Sequence, residues 1–82
     1  MEPTVGMIVH YYPGKDDPML SGSGPFAAIV VYADGNTVNL AVFDASGFHT
    51  IRTGIEMASA EQRAGRWDWP PLMSFTIKTN SP

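Results

Sequence analysis

Short β-prone runs, each closed off by glycine, proline, aspartate or asparagine, constrain this chain more than any other feature. Residues 5–12, VGMIVHYY, alternate as a strand does. Val5, Met7, Val9 and Tyr11 fall on one face, and Ile8, His10 and Tyr12 on the other. Residues 26–33, FAAIVVYA, are apolar on both faces, which suits a central strand. Asp34-Gly35-Asn36 is a hairpin signal, because Gly and Asn tolerate positive φ. The chain returns through residues 37–43, TVNLAVF, with Val38, Leu40 and Val42 on one face and Thr37 and Asn39 on the other. Val30, Val38, Leu40 and Val42 are the expected core. Asp44-Ala45-Ser46-Gly47 is a second turn, and residues 48–53, FHTIRT, are a fourth alternating strand.

The segments between and after these runs are different in kind. Residues 13–25, PGKDDPMLSGSGP, hold three prolines and three glycines and read as a long loop. Residues 55–65 lose the alternation. Ser59 followed by Gln62 has the form of a capping box, and Gly65 can end a helix, so this segment is expected to be a helical turn or two, or else a loop. Arg66-Trp67-Asp68-Trp69 forms a short fifth strand, which Pro70-Pro71 ends because proline donates no ladder hydrogen bond. Residues 72–79, LMSFTIKT, are again β-prone, with Met73, Phe75 and Ile77 on one face. The expected fold class is all-β: a small five-stranded SH3-like barrel over residues 1–71, with a C-terminal extension over 72–82 that is strand-like or contacts another copy. The likeness to SH3 domains is one of topology, since the proline-binding motif of those domains has no counterpart here.

Composition removes several classes of function. With 82 residues the chain is one domain and buries only about 60 % of the surface its unfolded form exposes. It has no cysteine, so disulfides and thiolate zinc sites are excluded. Packing must supply the stability, and a homo-oligomer would assist it. No apolar run approaches the ~18 residues that span a membrane, and no signal segment opens the chain, so a soluble intracellular protein is expected. A net charge of −3 with five basic residues argues against general nucleic-acid binding, which needs clustered Lys and Arg. Arg52, Arg63 and Arg66 lie near one another in sequence and could serve one small anion, although solvated charge among Glu56 and Glu61 is the plainer reading.

GRWDWPP, residues 65–71, places both tryptophans on one face of a strand, with Asp68 opposite. Two indoles do not fit easily inside so small a barrel. One is expected in the core, the other at a ligand site or an interface. Tyr11, Tyr12, Phe43 and Phe48 add aromatic surface. His10 and His49 read as hydrogen-bonded structural residues; with Asp44 they lack metal-ligand spacing. Asp16 and Asp17 look like exposed loop residues. No serine sits in a nucleophile elbow. Gly22 to Pro25, GSGP, could offer N–H groups to a phosphate, though an ordinary turn explains it as well.

Four spaced elements, VGMIVHYY, PFAAIVV, VNLAVFDASG and GRWDWPP, resemble a group of short phage-encoded proteins of largely unassigned function. The resemblance covers residues 5–71 and implies a small barrel of viral origin at work in the host cytoplasm during infection. With no catalytic set and no cofactor expected, the chain reads as a non-enzymatic binding protein. Its expected ligand is a small nucleotide-like host immune signal, sequestered by aromatic stacking and arginine contacts. The expected ligand-binding residues are Trp67, Trp69, Arg66, Arg52, His49 and Tyr11. The alternative is a protein-interaction or virion accessory module, in which an exposed tryptophan anchors the partner.

Overall fold

In a computed structural model of the chain, residues 2–15, 17 and 24–71 are described. The expectations for the tail 72–82, including its role in an oligomer, lie outside these residues. The described chain is all-β: β1 (Ile8–Tyr12), β2 (Phe26–Asp34), β3 (Thr37–Phe43), β4 (His49–Ile55) and β5 (Arg66–Asp68). They form one antiparallel sheet in the order β4-β3-β2-β1-β5.

The sheet curls into a half-barrel because two extra residues bend it. Val30 pairs with Leu40 and Tyr32 with Asn39, which leaves Val31 as a bulge in β2. Val38 pairs with Ile55 and Leu40 with Arg52, so β4 has one residue more than β3 between these pairs. Gly54 takes up that residue at φ +64°, and the side chain of Asn39 accepts its N–H at 2.9 Å. Bulges of this kind raise the local twist. At the far side, Trp67 N–H donates to Glu56 O at 3.1 Å and Ala58 N–H to Trp67 O at 2.7 Å, around a parallel bridge between Met57 and Trp67. The chain leaving β4 thereby pairs with β5, the strand at the opposite edge of the sheet.

The alternation places the core as expected on β2 and β3. Val30, Val38, Leu40 and Val42 are fully buried, with Val9, Tyr11, Phe26, Ala28 and Trp67 around them. Two expectations need correction. β1 begins at Ile8 rather than Val5, because Met7 N–H donates to Thr4 O around Gly6 at φ +96°. This turn takes Val5 off the core face and leaves it exposed. β2 is central, yet only one of its faces is covered: Ala27 and Val31 are exposed and Ile29 is half-buried.

The turns follow the residues that specify them. Gly35-Asn36 is a two-residue loop closed by the Asp34–Thr37 pair, and only Gly35 has positive φ, the pattern of a II′ hairpin turn. In the next turn one carboxylate oxygen of Asp44 accepts from Ser46 N–H, Ser46 O–H and Phe48 N–H at 2.9, 2.7 and 3.1 Å. Residues 55–65 contain no helix. Ser59 Oγ does accept the Gln62 N–H at 3.2 Å, the first half of a capping box. The Ser59 N–H, however, goes to the Gln62 backbone carbonyl at 2.9 Å, so the segment closes on itself instead of winding on. Gly65, at φ +74°, serves the turn in which Arg66 N–H donates to Arg63 O.

Leu40 is enclosed by the curled sheet, so truncating it leaves a cavity. Leu40→Ala is expected to cost about 2–5 kcal/mol in a denaturant titration. Unchanged stability would mean that the inner and outer faces of β3 are exchanged.

Candidate functional site

The residues expected to bind a ligand divide among four places. Trp67 is buried without exposed surface; it faces Tyr11 across the β1–β5 ladder, and its indole N–H donates to Asn36 O at 2.8 Å. Trp69 is half-buried and packs on the same core. The two indole rings do share a side, 5.1 Å apart, but they meet edge to face at 89°. No flat platform forms at the tryptophans, since the rings meet edge to face and Trp67 is committed to the core.

The arginines are likewise held within the fold. Arg52, on β4, grips Asp17 with two hydrogen bonds, Nε to Oδ2 at 2.9 Å and Nη2 to Oδ1 at 2.5 Å. Its Nη1 donates to Thr50 Oγ1 at 2.7 Å and to Ile51 O at 3.0 Å. The Tyr11 hydroxyl donates to the same carboxylate at 3.3 Å. Asp17 therefore pins the loop after β1 to two strands that are not neighbours in the sheet. This corrects its reading as an exposed loop residue: the contact joins positions 35 residues apart and leaves no local trace in the sequence. Arg66 pairs with Glu56 at 3.1 Å, and the Arg63 guanidinium lies 4.8 Å from the centre of the Tyr12 ring. The arginines that seemed able to gather on one anion have three different partners.

Burial raises the Tyr11 hydroxyl above its ordinary pKa, reinforced by the Asp17 charge and hydrogen bond and opposed by Arg52. Arg52 is raised as well, chiefly by its hydrogen bonds to Asp17.

His49 is the one expected ligand residue that stands in the open with aromatic neighbours. Its ring lies 5.7 Å from that of Phe43 and 6.3 Å from that of Phe48. Phe48 is 61 % exposed. Strand pairing builds this group: Phe43 opposes His49, and Asp44 N–H donates to Phe48 O at the start of the turn. Phe43 also lines a groove of about 490 Å³ between the entry to β2 and the β3–β4 turn, together with Gly24, Pro25, Phe26, Ala27, Asp44 and Ala45. The opposition of residues 43 and 49 follows from the turn between them, so the sequence carries a signal for this pair. Of the GSGP segment, Gly24 and Pro25 reach the groove as wall residues.

His10, expected to be hydrogen-bonded, has a buried Nδ1 with no partner among the described residues and packs edge-on to Tyr12. Among the described residues no group of three His, Asp or Glu side chains is placed to hold a metal ion, and no helix is long and apolar enough to cross a membrane. Comparison of the chain with protein-family models, curated proteins and solved structures gives no match.

Two outcomes follow from this geometry. Trp67→Ala should destabilise the fold by about 3–5 kcal/mol, as loss of a buried aromatic does, whereas Trp69→Ala should cost about 1 kcal/mol. Equal losses in chemical denaturation would contradict the division between the two indoles. Because the Tyr11 pKa is higher folded than unfolded, its contribution is full below about pH 10 and is lost as pH rises through the folded value. Tyr11→Phe should flatten the fall of stability above that pH. An alkaline unfolding profile with unchanged slope would rule this out.

Proposed function

We propose that the chain is a non-enzymatic, phage-type binding module that captures a small nucleotide-like molecule, such as a host immune signal, in the host cytoplasm. The reading rests on one observation: a groove of about 490 Å³ adjoins the aromatic group Phe43, His49 and Phe48. That volume suits a small ligand, and exposed aromatic faces stack on flat rings whatever their sequence context. The proposed stacking surface thus moves from the tryptophans to the β3–β4 turn, with His49 the member common to both. The order β4-β3-β2-β1-β5, with a long loop after β1, supports an SH3-like barrel as the scaffold. A rigid scaffold carrying ligand residues on its turns is a common division of labour.

A second reading, the protein-interaction or virion accessory module, draws support from the outer face of the sheet. Ile8, Ile29, Ala41 and Ile51 stand opposite one another across β1, β2, β3 and β4. Ile8, Val31 and Ile51 are among the exposed large apolar residues. A strip of this kind marks an interaction surface. In this reading a second copy of the chain covers it, which makes a homo-oligomer of a domain with a small core.

Phe48 separates the two readings, since its removal takes away stacking surface but none of the core. In a thermal-shift screen of nucleosides, nucleotides and cyclic nucleotides, a ligand present at about 100 times its Kd should add about 2.7 kcal/mol of stability. Phe48→Ala should retain the unliganded melting temperature and lose most of the shift. No shift across the screen, with self-association in light scattering, would favour the second reading.

A further inference from the structure

Beyond the small-ligand reading, we propose that the apolar strip on the outer face is covered by the chain's own residues 72–79, LMSFTIKT, laid across the sheet. The strip is one cross-strand row. Ile8 opposes Ile29, Ile29 opposes Ala41 and Ala41 opposes Ile51, so the four side chains share a face across β1, β2, β3 and β4. Among the described residues both ends of the row are open: Ile8 is 52 % and Ile51 54 % exposed. Exposed apolar side chains gathered in this way mark a surface that another segment covers.

The register of β5 brings the tail to this row. Tyr11 opposes Trp67 and His10 opposes Asp68, so the same register carried on sets Pro70 level with Ile8. β5 ends at Asp68 and Pro70 donates no ladder hydrogen bond, so the chain is released from the sheet at one end of the row. Three strand spacings of roughly 4.8 Å make the strip about 14 Å long. Met73, Phe75 and Ile77 fall on one face of an extended segment and span about 13 Å at roughly 3.3 Å per residue. Their spacing matches the strip, with Met73 near Ile8, Phe75 over Ile29 and Ala41, and Ile77 near Ile51. No charged residue falls in the tail before Lys78. A segment tethered at Pro71 meets the strip at an effective concentration on the order of millimolar, which puts a second copy at a disadvantage. The surface that the second reading requires is then taken by the chain itself.

A double-mutant cycle on the full chain tests this, with Phe75→Ser in the tail and Ile29→Thr in the strip. Ile29→Thr keeps a β-branched side chain for β2 and leaves the core residues in place. Phe75→Ser should lower the melting temperature of the unaltered chain by about 5 °C. In the Ile29→Thr background it should lower it by less than half as much, because residues in contact couple. The unaltered chain should melt at one temperature across about a hundred-fold range of protein concentration and scatter light as a monomer. If Ile29→Thr fails to fold by circular dichroism, Ile51→Thr at the sheet edge replaces it, paired with Ile77→Ser. No effect of the tail substitution, or equal effects in both backgrounds, would overturn the tail as occupant. A melting temperature that rises with protein concentration, with a dimer in light scattering, would overturn it in favour of a second copy.

Discussion

Closure of the sheet depends on Trp67. β5 is three residues long, too short to hold its place by ladder hydrogen bonds alone. Its central residue makes up the deficit. The indole enters the core without exposed surface and packs opposite Tyr11, and its N–H is satisfied by Asn36 O in the β2–β3 turn. The backbone of the same residue bonds Glu56 and Ala58. One side chain and its own peptide groups thus tie together β1, the tip of a hairpin and the chain leaving β4. A buried indole N–H without a partner would have cost about as much as a lost hydrogen bond. The turn at Gly35-Asn36 therefore does more than reverse the chain; it also presents the carbonyl that lets tryptophan serve as a core residue.

The parts of this fold that were legible in sequence are those set by local pattern. Period-two alternation located β3 and β4, a β-rich apolar run located β2, and Val30, Val38, Leu40 and Val42 are core as expected. Turn chemistry located Gly35 and Gly47. The errors fall where a local pattern was overruled by a bend or a distant contact. The alternation of residues 5–12 extends past the strand, because Gly6 turns the chain before Val5 can join the core face. Ser59 and Gln62 make one of the two hydrogen bonds of a capping box and still start no helix, since the Ser59 N–H is taken by the Gln62 carbonyl.

The candidate site was half legible for a related reason. Residue type suggested aromatics and arginines, and residue type alone says nothing about which of them the fold consumes. Trp67, one of the two indoles of the chain, is spent on closure. Arg52 is spent on Asp17, a partner 35 positions away that no spacing rule connects to it. Phe43 and His49 escape this fate because their side chains stand on the outer side of β3 and β4, away from Leu40 and Val42. Opposed positions on that face bring aromatic rings together without requiring the core to give up any.

Asp44 connects the architecture to the chemistry. Its buried carboxylate is needed because the turn from β3 to β4 leaves the Ser46 and Phe48 N–H groups without ladder partners. A neutral acceptor could satisfy them, but aspartate does so with a negative charge, and the turn lies in the wall of the groove. The residue that shapes the turn is therefore also part of the groove wall. Arg52, the basic residue on β4, bonds Asp17 in the loop after β1. Its guanidinium makes two hydrogen bonds to that partly buried carboxylate, and breaking such a charge-assisted pair costs more than breaking a neutral hydrogen bond of the same geometry. The turn that leads into β4 and the middle of that strand are thus each fixed by a carboxylate, Asp44 and Asp17.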